Sequence, residues 1–421
     1  LRENPDGINY FKIKISPPKH PIPTRPLKET TMKTYTKYLS VACLMAASQM
    51  GNVYAQQPLK IGFLGTLSGP AGALGQDQYD AFMLAIDHLG GKLGNSAVQV
   101  LKEDDQLKPD LGVELAKKLI EKEKVNIITG VTFSNVMMAV HKPITDAGVF
   151  LIGSNAGPTP ITGKGCSPMY FSTSWNNDSL HESMGAYARQ QGYKRVYLMA
   201  PNYQAGKDAL AGFKAQYKAA GIDEVYTQIN QPDYSAEIAQ LQAAQPDAVY
   251  VFYPGGMGVN FVKQYQQAGL LGKIPLLSAS TVDGTTLPAL KEIALGVITS
   301  SPYSPDIDNP QNKKFVDDFR KKYNRVPSLY AAQSYDAAML LNSALLKTQG
   351  KVDREPLRAA LKQANFKSVA GPFKFNNNQF PIRNFYRVDV AKDSSGQAAL
   401  VNKGVVLKDH ADAYASQCTM N

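Results

Sequence analysis

Residues 59–90 read LKIGFLGTLSGPAGALGQDQYDAFMLAIDHLG, and this stretch decides the fold. Lys60–Leu64 is an apolar run of strand length, shorter than any stable helix. A turn of small residues follows, Ser68-Gly69-Pro70-Ala71-Gly72-Ala73-Leu74-Gly75. Then comes Gln76–Leu89, in which Phe82, Ala85, Ile86 and Leu89 recur at helical spacing and define one buried face. Strand, glycine-rich turn and amphipathic helix make one βα unit.

Working outward, the unit repeats. Val98–Lys102, Asn126–Thr129, Phe150–Ile152, Val196–Met199, Ala248–Phe252 and Gly296–Thr299 are further strand candidates. Helical patterns cover Asp110–Glu123, with Asp110 as the expected N-cap after Pro109, then Asn177–Gln191 and Tyr330–Leu346. Such alternation predicts parallel sheets covered by helices on both faces. One set of units runs to about Thr173 and a second begins without a Gly/Ser or Pro linker, which predicts two similar lobes joined by several crossings. Asn384–Val390 and Leu400–Val406 read as strands, so the chain closes on β structure.

A chain of 421 residues with 44% hydrophobic and 9% aromatic content is that of a core-forming protein. Eight of the 45 basic and three of the 35 acidic residues precede Gln56, so the net charge from Gln56 onward is +5 rather than +10. That charge is spread along the chain, whereas a nucleic-acid surface needs a basic stripe. After Met32 come Lys33 and Lys37, a mainly apolar run Tyr38–Ala47, and Val53-Tyr54-Ala55. This is a signal peptide over residues 32–55 with cleavage before Gln56, and it predicts a periplasmic protein. The run is about ten residues, half of what a bilayer span needs. Residues 1–31 precede Met32 and read as a mis-assigned extension. Cys43 sits inside the apolar run with Ser40 where a lipid-attachment motif wants an aliphatic residue, so it is expected to leave with the leader. Cys166 and Cys418 then remain, and an oxidising compartment favours their pairing over two buried thiols.

Enzyme signatures are missing. There is no G-x-S-x-G; His181-Glu182 lacks a second histidine at metal-binding spacing; Gly157 to Gly163-Lys164 is one residue too long for a phosphate loop. His20, His88, His141, His181 and His410 are scattered, and each reads as a surface residue rather than a catalyst. No cofactor or metal is expected. Three post-strand loops are instead rich in Gly, Ser, Thr and Asn: Ser68–Gly75, Gly130–Asn135 leading to a helix from Val136, and Ser154–Thr159. Such loops present N–H groups and hydroxyls at helix N-termini, which hold anions without a cation, although ordinary capped turns look the same.

At these loops the chain resembles the Leu/Ile/Val-binding family of ABC-transporter receptors. Leu67-Ser68-Gly69-Pro70-Ala71-x-x-Gly75 is similar to that family's opening signature, and Asp104-Asp105, Gly130…Ser134, Ser154–Pro160 and Tyr335-Asp336-Ala337 follow in its order. The resemblance covers Leu59 to Asp409 and implies a type I periplasmic binding protein: two Rossmann-like α/β lobes, three hinge crossings and a cleft that closes on ligand. It implies a first lobe of residues 56–175 plus 303–380, a second of 176–302 plus 381–410, and a tail of 411–421. It implies a monomer that delivers a small-molecule carboxylate to an ABC permease and ATPase complex, without catalysis.

The same resemblance places the ligand carboxylate at Ser134 and at the backbone of Ala156 and Gly157, with Thr159 replacing the donor that Pro158 lacks. It puts Leu74, Phe133 and Tyr330 toward the rest of the ligand. The family's amino-acid receptors pair the ligand ammonium with an acid; here Ser280 stands there and Asp283 lies three residues on. Ala205 occupies a family tyrosine position, with Tyr203 two residues earlier. The sole tryptophan, Trp175, lies at the first crossing, as a ligand-stacking or a hinge-packing residue. An unpaired buried ammonium is costly. The expected ligand is therefore an aromatic acid ahead of a branched-chain amino acid, and a periplasmic ligand sensor of the same fold is the other alternative.

Overall fold

The computed structural model describes residues 57–420; the expected leader, with Cys43 and the cleavage point, lies outside them. Two sheets form. The first takes β1 (Leu59–Gly65), β2 (Lys92–Leu93), β3 (Ser96–Asp104), β4 (Ile127–Gly130), β5 (Phe150–Gly153) and β6 (Tyr170–Ser172) in the order β2-β3-β1-β4-β5-β6. All its pairs are parallel except the β2–β3 hairpin. The second holds β7 (Arg195–Pro201), β8 (Gly221–Thr227), β9 (Ala248–Val251), β10 (Leu276–Ala279) and β11 (Ile298–Ser301) in parallel. β12 (Lys374–Phe375), β13 (Pro381–Lys392) and β14 (Ala398–His410) complete it in antiparallel pairing. β4, β5, β9 and β10 are buried at every residue, which is why they read as continuous apolar runs rather than alternating ones.

Helices cover the sheets: α1 (Gly72–His88), α2 (Pro109–Lys117), α3 (Ser134–Asp146), α4 (Asn177–Gln190), α5 (Gln204–Tyr217), α6 (Ser235–Ala244), α7 (Gly256–Gln267), α8 (Leu287–Leu290), α9 (Pro310–Tyr323), α10 (Leu329–Lys347) and α11 (Arg354–Lys362). The chain leaves the first sheet after β6, returns after β11 to pack α10 on α1, and enters the second sheet again through the β12–β13 pair, making three crossings. Arg325 fixes that return, pairing with Asp77 at 2.9 Å and Asp80 at 2.6 Å on α1. No helix among the described residues is long and apolar enough to cross a membrane.

Several expectations need correction. α3 begins at Ser134 rather than Val136, because Phe133 is the extended N-cap residue and Ser134 already lies in the first turn. Asp110 does not cap α2: Lys108 is the N-cap residue and Pro109, with its preset φ, opens the helix, leaving Asp110 in the first turn near the positive dipole end. His141 and His181 are buried, at 5% and 1% exposure, rather than on the surface. His181 is drawn in because α4 is covered throughout its first two turns, Asn177–Met184. The three-residue β6 and the edge strand β8 carry too little apolar pattern to be read from sequence.

Cys166 and Cys418 are paired, with Cα atoms 5.7 Å apart, tying the chain end to the segment between β5 and β6. Asp412 accepts from Asn378 at 2.9 Å, the Ala415 carbonyl from Asn377 at 2.8 Å, and the Tyr414 hydroxyl donates to Asp178 on α4. The tail thus touches the first sheet's loops and the first helix after the crossing.

Candidate functional site

In open parallel sheets, ligands bind beyond the carboxyl ends of the strands, where helix N-termini converge. Both sheets here direct those ends at one cavity. Leu74 comes from the first turn of α1, Ser134 from that of α3, Asn177 and Leu180 from α4, Ala205 from α5 and Tyr330 from α10. Five helix N-termini around one volume make it electropositive without a cation, and no Lys or Arg lines it.

Unpaired donors centre on Ser134. The amides of Ser134, Asn135 and Val136 precede the first α3 bond, which runs from the Met137 N–H to the Phe133 carbonyl, and the Phe133 side chain cannot cap them. The Ser134 hydroxyl accepts from the Asn177 amide at 3.0 Å, so its own proton is free for a ligand. Asn177 is itself held from two sides. Its amide also donates to Asp208 at 2.9 Å, and its carbonyl oxygen accepts the Gly157 N–H at 3.2 Å. This residue links α3, α5 and the loop after β5, and sequence reasoning missed it. Its N-terminal position on the first helix after the crossing was the available signal.

Not every expected residue joins the cavity. Leu74, Phe133, Ser134, Ala156, Trp175, Tyr203 and Tyr330 line it together; Gly157, Thr159 and Asp283 do not. The Ala156 N–H donates to the Val131 carbonyl at 3.2 Å, and Gly157 gives its N–H to Asn177, so neither amide is left for a carboxylate. Gly157 has a packing role: a Cβ there would stand 1.9 Å from the Trp175 carbonyl oxygen. Thr159 serves the hinge, its N–H donating to Asp208 at 3.1 Å and its hydroxyl to Asp178. Asp283 is buried behind Ser280 in an adjoining space.

The cavity's flanks are aromatic. Tyr203 and Phe252 lie nearly parallel at 16° with centroids 6.4 Å apart, Phe133 approaches Tyr203 at 6.5 Å, and His181 meets Phe252 edge-on at 4.8 Å. Trp175 is 5% exposed. Burial pushes the His181 ring down to about 3, so it is neutral and bonds Tyr250 through Nδ1. Phe252, His181 and Leu180 escaped sequence reading; Phe252 was the most legible, standing directly after β9. Ser280, which lines the cavity, and Val131, next to the lining residue Thr132, hold φ of 54° and 58°, a region L-residues disfavour. The backbone N–H of Gly256 donates to the Pro70 carbonyl at 3.2 Å, so the lobes meet across the cleft. Among the described residues no three His, Cys, Asp or Glu side chains converge as metal ligands would.

Two α/β lobes closed over a cavity at their strand ends define a binding protein, and the chain belongs to the periplasmic binding protein family, whose sequence profile matches residues 58–397. It is 29% identical over 374 residues to Leu/Ile/Val-binding protein homolog 6 of Brucella melitensis, covering 86% of this chain and 94% of that one. Two solved structures of ABC-transporter solute-binding proteins are similar. One, from R. palustris in complex with benzoate, shares 31% identity and a TM-score of 0.81 over 86% of this chain and 100% of its own. The other, from Rhodopseudomonas palustris BisB5 in complex with 3,4-dihydroxybenzoic acid, shares 30% and 0.80 over 85% and 99%.

Proposed function

We propose that this protein is the exported solute-binding component of an ABC importer and that it captures an aromatic carboxylate between its lobes without turning it over. The observation that carries this is the pairing of a cation-free anion site at Ser134 with flanks of Phe133, Trp175, Tyr203 and Phe252. The carboxylate would take the Ser134 hydroxyl and the α3 amides, and the ring the aromatic flanks. In this reading the lobe built on β1–β6 and the lobe built on β7–β11, β13 and β14 move as two bodies. A ligand touching Ser134 on the first and Tyr203 and Phe252 on the second favours the closed state, which is the state a permease would recognise. The aromatic ligands of the two R. palustris proteins support the reading.

A branched-chain amino acid is the second reading, favoured by the name of the Brucella relative and by the buried carboxyl of Asp283. A thermal-shift screen decides between them, because a ligand of the native state raises the melting temperature. Benzoate-type acids should raise it, leucine and valine should not, and Trp175→Ala should shrink the aromatic response. Submicromolar leucine binding abolished by Asp283→Asn would refute the aromatic reading.

A further inference from the structure

Beyond the three crossings inside the fold, the end of the chain passes from one lobe to the other once more. β14 belongs to the second sheet, and its last residue, His410, still pairs with Arg383 of β13 and with the Glu182 carboxyl on α4. Two residues later the chain lies on the first lobe. Asp412 accepts from the Asn378 amide at 2.9 Å, and that amide also donates at 2.9 Å to the Thr162 carbonyl in the loop after β5. The neighbouring Gln379 carbonyl accepts the Ser172 N–H of β6 at 3.0 Å. A Cβ at Gly163 would stand 3.2 Å from the Gln417 side chain and 3.4 Å from that of Tyr414, so the tail packs directly on that loop. Cys418 then bonds to Cys166 between β5 and β6. Polypeptide leaving the second sheet is thereby fastened covalently to the first.

We propose that residues 411–418 are a fourth crossing, a strap closed by the Cys166–Cys418 bridge, which limits how far the cleft opens and so tightens ligand binding. This goes beyond the ligand reading and needs only two lobes that close. Tyr414 joins the strap to the hinge: its hydroxyl donates to one oxygen of Asp178, in the first turn of α4, while the hydroxyl of Thr159 on the first lobe donates to the other. The Thr159 N–H donates to Asp208 at 3.1 Å, and Asp208 accepts the Asn177 amide at 2.9 Å. That amide reaches the Ser134 hydroxyl in the cavity at 3.0 Å, so a continuous hydrogen-bonded path runs from the tail to the ligand site. Hydrogen bonds alone would keep the tail in place while the cleft is shut, but from a free terminus they could be lost one after another as it opens. The bridge pins the far end, so each broken contact re-forms against a tethered partner. Fewer open conformers then compete with the closed one. Apparent affinity scales with the fraction of molecules competent to bind, so narrowing the open ensemble tightens binding whatever the ligand.

Small-angle X-ray scattering and isothermal titration with benzoate, on the oxidised parent, the Cys166→Ser/Cys418→Ser double variant and Tyr414→Phe, test this well below their melting temperatures. Without ligand, both variants should show a larger radius of gyration than the parent, the double variant the larger of the two. With saturating benzoate all three should coincide. Affinity for benzoate should fall about threefold or more in the double variant and less in Tyr414→Phe. Tyr414→Phe, which keeps the bridge and the ring, decides alone if the double variant does not fold. A bridge that only stabilises the fold would lower the melting temperature and leave the ligand-free radius and the affinity where they were. Equal ligand-free radii, a radius that stays larger with ligand bound because the tail has merely frayed, or equal affinities would each overturn the proposal. If benzoate does not bind the parent, the aromatic reading fails by itself and the ligand-free radii decide the strap.

Discussion

Replacing Cys166 and Cys418 together by serine removes a bridge spanning 252 residues. In the chain-entropy account, closing a loop of that length restricts the unfolded chain by about 18–19 cal/mol/K, or about 5.5 kcal/mol at room temperature. That is a ceiling. The noncovalent tail contacts, Asn378 to Asp412, Asn377 to Ala415 and Tyr414 to Asp178, persist in the variant and keep the folded tail in place, and bridges usually deliver about 2–4 kcal/mol. For roughly 360 folded residues the unfolding entropy is about 0.75 kcal/mol/K, so the melting temperature should fall by about 3–5 °C. Calorimetry of the oxidised protein and the double variant reads this directly. A change below about 1 °C, or free alkylation of both thiols in unreduced protein, would refute the reasoning.

Three further outcomes follow from the site and the hinge. Ser134→Ala should weaken carboxylate binding by about 1.5–3 kcal/mol, the range for a hydrogen bond to a charged group; unchanged affinity by calorimetry would place the anion elsewhere. Affinity should stay flat between about pH 5.5 and 8, because a carboxylate ligand is ionised throughout and His181, held down near 3, does not titrate there; a tenfold change over that range would contradict it. Burial, with the neighbouring Asp208 and Glu182, pushes Asp178 up from 3.8 to about 6 against the hydroxyls of Thr159 and Tyr414. The folded state therefore holds its proton more tightly than the unfolded one, and this group's contribution to stability falls as pH rises from about 4 through 6. Asp178→Asn should thus gain stability relative to the parent between pH 4.5 and 7 in urea melts, and a constant gap would contradict the assignment.

The sheet framework was legible wherever burial on both faces produced an unbroken apolar run, as in Ile127–Gly130 or Ala248–Val251. Gly221–Thr227 was not, because an edge strand of mixed burial mingles Asp223 and Glu224 with its apolar residues. Within the site, Ser134 and the flanking Leu74, Phe133, Trp175, Tyr203 and Tyr330 could be placed, since each follows a strand or opens a helix. The backbone donors could not. Whether the amides of Ala156, Gly157 and Thr159 face a ligand depends on Val131, Asn177 and Asp208, which claim them from other parts of the chain. His181 was misjudged for a similar reason: nothing local says that it packs against Tyr250 and Phe252 at the end of β9.

The absence of a cation from the cavity has a consequence for how such a protein changes its ligand. In the proposed function, the grip on the acid group would belong to backbone amides and one hydroxyl at the start of α3, which are indifferent to what the acid is attached to. The rest of the cavity wall includes side chains that follow strands of the other lobe, Tyr203, Phe252 and Ser280, which would set the shape a ligand must fit. On that proposal, affinity for a carboxylate and selectivity among carboxylates would be held by different parts of the polypeptide. Substitutions at those three positions can redirect the protein to another acid while its common handle stays in place, so one scaffold can be retuned a side chain at a time without passing through a form that binds nothing.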